Sequence, residues 1–119
     1  MANILLVDDS RTSRRMLRNI LESAGHTIID EATDGEQAIE KYIANHPDIT
    51  TLDITMPVMD GIEALKQIKQ VDSEAKVIMV SASSQKDKLI EAVKYGAEDF
   101  IAKPFEPSQI ISILNKLVS

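Results

Sequence analysis

The feature that most constrains the fold of this chain is an alternation that repeats five times. Short apolar runs are each followed by a longer stretch with helical periodicity. The runs predict strands at Ile4–Val7, Thr27–Ala32, Ile49–Asp53, Val77–Ser81 and Asp99–Ala102. Between and after them, apolar residues recur at helical spacing. Met16, Leu17, Ile20, Leu21 and Ala24 form the first stripe, and Ala38, Ile39, Tyr42 and Ile43 the second. Ile62, Leu65 and Ile68 form the third, Leu89, Ile90, Ala92 and Val93 the fourth, and Ile110, Ile111, Leu114, Leu117 and Val118 the fifth.

Strands that alternate with helices require crossover connections, hence a parallel sheet covered on both faces. The segments ILLV and VIMV are apolar at every position, as central strands buried on two sides must be. The fold class is therefore α/β, a three-layer doubly wound (βα)5 sandwich around a five-stranded parallel sheet. This pattern alone does not fix the strand order. Punctuation agrees with the helix assignments. Gly25 and Gly96 stand at expected helix ends, and Pro47 disfavours helix at His46. Asp60 or Gly61 can open the third helix, Ser84 can cap the fourth, and Pro107 fits the first turn of the fifth.

A chain of 119 residues without a composition break reads as one domain, residues 1–119. It contains no cysteine, which removes disulfides and thiolate metal sites. No apolar run reaches the roughly 18 to 20 residues of a membrane span, and MANILLVDDS is not a signal peptide. These features predict a cytoplasmic protein with no membrane partner. Nineteen acidic against 13 basic residues, a net charge of −6, argue against nucleic-acid binding. Arg11, Arg14, Arg15 and Arg18 lie on one face of the first helix and read as a solvated face, or else as a docking surface for an acidic partner. His26 and His46 have no metal-ligand spacing and read as ordinary turn and helix-end residues.

The stretch TTLDITMPVMDG contains an aspartate, Asp53, inside a run that should be buried. Ligands in open α/β sheets bind beyond the carboxyl ends of the strands. Asp8 and Asp9 follow the first strand, Asp53 ends the third, Ser81 ends the fourth, and Lys103 follows the fifth. Each has an ordinary alternative reading, as a helix cap, a turn residue or a surface lysine. Their placement at one edge of one sheet is what singles them out.

Clustered carboxylates repel one another unless a cation compensates. Oxygen ligands without a His or Cys cluster suit Mg²⁺. Lys103 can supply a second positive charge. This set suits phosphoryl transfer, with Asp53 as a carboxylate nucleophile that becomes an acyl phosphate. Asp8 and Asp9 would hold the metal, while Lys103 and Ser81 would contact phosphoryl oxygens.

The segments ILLVDDS, TLDITMPVMDG, VIMVSA and GAEDFIAKPF resemble the successive signatures of two-component response-regulator receiver domains, most closely the single-domain, CheY-like chemotaxis type. The resemblance covers essentially the whole chain and implies a flavodoxin-like strand order of 2-1-3-4-5. It implies that Asp53 is the phosphoacceptor, Asp9 a direct Mg²⁺ ligand, and Asp8 an acid acting largely through water. Thr55 would give a backbone carbonyl to the metal. Ser81 and Phe100 would be the switch residues, Lys103 the family lysine, and Pro104 a proline often preceded by a cis bond, which leaves the isomer here open.

The implied partners are a CheA-like histidine kinase and an output target, such as a flagellar switch protein or a phosphatase, docked on the face of the fourth helix, fifth strand and fifth helix. The chain would act as a monomer and a signalling switch that catalyses only its own phosphorylation and dephosphorylation. It would signal by protein contact, unless the sequence is a fragment of a longer chain.

Thr55 and Ser83 depart from well-known members at positions that tune hydrolysis, which leaves the phosphoryl lifetime open. Phe100 lacks the hydroxyl of the tyrosine found in many members. Three other functions compete. A phosphorelay intermediate of the Spo0F kind shares the site. An aspartate-nucleophile phosphatase would carry a second acid where Thr55 stands. A flavin carrier would need a phosphate loop where Asp8 and Asp9 stand.

Overall fold

The computed structural model describes residues 1–82 and 85–118. Its strands are β1 (Asn3–Val7), β2 (Thr27–Ala32), β3 (Ile49–Asp53), β4 (Val77–Ser81) and β5 (Asp99–Ala102). Its helices are α1 (Arg11–Ser23), α2 (Gly35–Asn45), α3 (Gly61–Val71), α4 (Lys86–Lys94) and α5 (Pro107–Val118). All strands pair in parallel, in the order β2-β1-β3-β4-β5. The strand segments agree with the sequence reading, apart from one extra residue, Asn3, at the start of β1.

Side chains alternate across each strand, so the apolar runs feed two separate cores. Leu5, Val7, Leu52, Val77 and Met79 face one side, where Ala38, Tyr42, Leu65, Ile68 and Ala92 of α2, α3 and α4 cover them. Ile4, Leu6, Ile49, Ile78, Val80 and Ile101 face the other, against Leu17, Leu21, Ile110 and Leu114 of α1 and α5.

The helix ends follow the punctuation. Ser10, Asp34 and Asp60 accept backbone N–H bonds from Ser13, Gln37 and Glu63. Gly25 and Gly96 adopt φ of +93° and +95°, and His46 closes α2 in the left-handed region. The cap of α4 is Gln85, which makes no capping side-chain bond. Ser84, the expected cap, and Ser83 lie outside the described residues.

Several stripe residues do not enter the core. Met16, Ile43, Ile90, Val93 and Val118 are exposed. A helix lying on a sheet covers only part of its circumference, and α4 buries Ala92 alone. His26, just before β2, is buried, and its Nδ1 accepts the Ala2 N–H at 3.1 Å. Burial and the nearby amino terminus hold its pKa below the usual histidine value.

Val58 is the one non-glycine besides His46 with positive φ among the described residues, at +68°. A β-branched side chain is strained there, and its 76% exposure offers little packing in return. Val58→Asn is expected to raise stability by about 0.5–1 kcal/mol, read as a higher urea midpoint at unchanged slope.

Candidate functional site

The order of the strands assembles the site. With β1 and β4 flanking β3, the carboxyl end of β3 lies between those of its neighbours. Asp53 ends β3 and pairs in register with Val80, one residue short of Ser81. Ser81 pairs with Ala102, one residue short of Lys103. Thus Asp8, Asp9, Asp53, Ser81 and Lys103, distant in sequence, converge on one rim.

Asp8 and Asp53 are buried and Asp9 is exposed. The three offer carboxylate oxygens that all lie within 4.8 Å of one another. Lys103 reaches inward, with Nζ 3.4 Å from Asp8 Oδ2 and 3.6 Å from Asp53 Oδ2. Asp8 Oδ1 is already engaged, accepting the Ser10 N–H at 2.8 Å. Burial, followed by the charge of Asp8, pushes the Asp53 carboxyl up to about 6, although Lys103 pulls the other way. The buried charge is thus only partly compensated by protein groups. The donor set consists of hard oxygens, and the unrelieved repulsion marks the place where a divalent cation fits.

Ser81 is buried at the end of β4. Phe100 is 48% exposed. Beside it a cleft of about 240 Å³ runs between α4 and β5, lined by Met79, Leu89, Ala92 and Val93 among others. The Lys103–Pro104 bond is cis. Thr55 lies exposed two residues beyond Asp53, and its Oγ1 accepts a hydrogen bond from Gln85 Nε2 at 2.5 Å.

Three contributors carry no site role in the sequence reading. Gln85 is one. Gly61 is another: its N–H donates to the Ile54 carbonyl at 2.7 Å, bringing the start of α3 against the end of β3. Arg14 is the third. It is not part of a solvated face, because Nη1 donates to the Asp8 carbonyl at 2.8 Å and Nε pairs with Glu31 at 2.8 Å. Arg18 also pairs with Glu31 and with Glu22, whereas Arg11 and Arg15 stay exposed. Helical periodicity placed all four on one face but carried no signal that Glu31 of β2 would lie beside two of them.

A family model, the response regulator receiver domain, matches residues 4–115. The chain belongs to the response regulator receiver family. This receiver domain is 50% identical over 114 residues to chemotaxis protein CheY of Thermotoga maritima, covering 96% of this chain and 95% of that protein. It is 47% identical over 116 residues to CheY of Bacillus subtilis, covering 98% and 97%. The crystal structure of a CheX–CheY complex with beryllofluoride and magnesium from Borrelia burgdorferi superposes with a TM-score of 0.93 at 40% identity, covering 98% of this chain and 89% of that one. The receiver domain is homologous to CheY chemotaxis response regulators, a class of phosphorylation-activated signalling switches. These relatives do not favour a phosphorelay intermediate or an aspartate-nucleophile phosphatase. No helix among the described residues is long and apolar enough to cross a membrane.

Proposed function

We propose that residues 1–119 form one receiver domain in which Asp53 accepts a phosphoryl group from a partner phosphohistidine. The observation that carries this reading is the meeting of three carboxylates and Lys103 at one sheet rim. Asp8, Asp9 and Asp53 would hold Mg²⁺ together with the Thr55 carbonyl. When bound, the cation neutralises phosphoryl oxygens and the clustered acids.

An Asp53 carboxylate oxygen attacks phosphorus, the histidine N–P bond breaks, and the departing imidazole takes up a proton. Lys103 pairs with one new phosphoryl oxygen and the Ser81 hydroxyl donates to another. The dianion adds three strong acceptors where one carboxylate stood. Movement of Ser81 toward it vacates room behind β4, and Phe100 turns inward beside the cleft described above. A packed core has few alternative arrangements, so a small shift at Asp53 becomes a discrete change of surface.

The surface concerned is the α4-β5-α5 face, where Ile90, Val93 and Phe100 are exposed. Its partners on this reading are a CheA-like kinase upstream and a flagellar switch protein or phosphatase downstream, with a cytoplasmic monomer as the working form. The test is incubation with acetyl phosphate and Mg²⁺, followed by peptide mapping. A hydroxylamine-labile phosphoryl group on the Asp53 peptide is expected. A phosphoryl group elsewhere, or none, refutes the assignment.

A further inference from the structure

Gln85 spans the two loops that border the acceptor. Its Nε2 donates to Thr55 Oγ1 at 2.5 Å, and its Oε1 accepts the Ala82 N–H at 2.7 Å. Thr55 belongs to the loop after β3, two residues from Asp53. Ala82 belongs to the loop after β4, one residue from Ser81. A single side-chain amide therefore ties the acceptor loop to the switch loop. The same residue is the N-cap of α4, yet it makes no capping side-chain bond, because the amide is turned toward the site.

We propose that Gln85 is a latch for the unphosphorylated state, a positioning residue that couples the acceptor to the start of α4. The inference rests on Asp53 being the acceptor. A neutral amide oxygen is a modest acceptor. A phosphoryl dianion competes for the same N–H with a charge-assisted bond of roughly twice the strength. The Ala82 N–H and the Ser81 hydroxyl belong to adjacent residues, so movement of Ser81 toward the phosphoryl group carries the Ala82 N–H with it and takes it from Gln85. The freed side chain no longer ties the N-cap of α4 to the site. That helix buries only Ala92, so little packing resists its displacement. In the unmodified protein the latch opposes this movement. It thereby lowers the apparent affinity for an acceptor-bound anion, as any group favouring the non-binding conformer must.

The experiment titrates beryllofluoride with Mg²⁺ into the wild type, Gln85→Met and Gln85→Ala, followed by amide NMR. Met preserves side-chain volume and removes both hydrogen bonds, which separates the latch from simple packing. Two results are expected. Both variants bind the anion more tightly than the wild type, by roughly threefold to tenfold, the worth of about one net hydrogen bond. In the wild type, the Gln85 side-chain NH₂ resonances shift on binding as the contact with Thr55 opens. Equal affinity in all three proteins, or unmoved Gln85 NH₂ resonances, overturns the latch and leaves the acceptor assignment standing. Absence of binding in all three overturns both.

Discussion

Asp53→Asn is expected to abolish acyl-phosphate labelling and, in the metal-free protein, to raise stability. The first effect follows from chemistry. An amide in place of the carboxylate has no anionic oxygen to attack phosphorus, and no other described carboxylate is both buried at this rim and paired with Lys103 as Asp53 is, apart from Asp8. Labelling by acetyl phosphate should fall by about 10³-fold or more, the scale on which a covalent nucleophile acts. Undiminished labelling would exclude Asp53 as acceptor.

The second effect follows from electrostatics. Burial and the Asp8 charge raise the Asp53 carboxyl from 3.8 to about 6 in the folded protein. A raised carboxyl pKa means that the fold favours the protonated form. The associated stability is fully present below pH about 4 and is lost as pH rises through about 6. At pH 7 in chelator, Asp53→Asn should therefore be more stable than the wild type by about 1–3 kcal/mol. Its urea midpoint should also lack the wild-type decline between pH 4 and 6. Excess Mg²⁺ should shrink the difference, because a cation stabilises the ionised cluster of the wild type and binds the variant less well. A wild-type midpoint that does not respond to Mg²⁺ would remove the electrostatic account.

Gly61→Ala is the second large expected effect, and it acts on Asp53 without touching its side chain. A Cβ at Gly61 would sit 2.0 Å from the Asp53 carbonyl oxygen, and 2.9 Å from both the Asp53 carbonyl carbon and Ile54 Cα. All three are backbone atoms of Asp53 and Ile54, so no side chain can swing aside. Either α3 withdraws, breaking the Gly61 N–H bond to Ile54, or the end of β3 shifts.

The expected cost is about 3 kcal/mol or more, the upper range for overpacking, read from urea unfolding. Displacement of Asp53 should also slow its phosphorylation in the fraction that folds. Gly96→Ala is the comparison. Its Cβ would meet the Lys69 side chain at 3.2 Å, which can yield, leaving mainly the strain of a positive φ of +95°. That variant should lose only about 1 kcal/mol and label normally. Equal losses in the two proteins would contradict the steric account.

Much of the site was legible because its signals are local. A strand announces itself through a short apolar run. A charge that interrupts the run, as Asp53 does, is conspicuous within a few residues. Asp8, Asp9, Ser81 and Lys103 each stand at a strand end, and the rule that ligands gather at carboxyl ends turned five local positions into one site before any contact was known. Gln85, Gly61 and Arg14 carried no such mark. Glutamine before a helix is ordinary, glycine after aspartate reads as a helix start, and one arginine among four on a face reads as solvated.

Local pattern in the chain is enough to set which segments are strands and helices, that the sheet is parallel and covered twice, and which polar groups stand at its rim. Periodicity and punctuation act over a few residues, and the hydrophobic effect makes that pattern sufficient. Which members of that pattern meet is set by long-range packing. It placed Asp53 between Asp8 and Ser81, turned Lys103 onto two acids, left Ile90 and Val93 outside, and joined Thr55 to Ala82 through Gln85. Those outcomes depend on the register and distance between segments far apart in the chain, which side-chain packing sets and local periodicity does not encode.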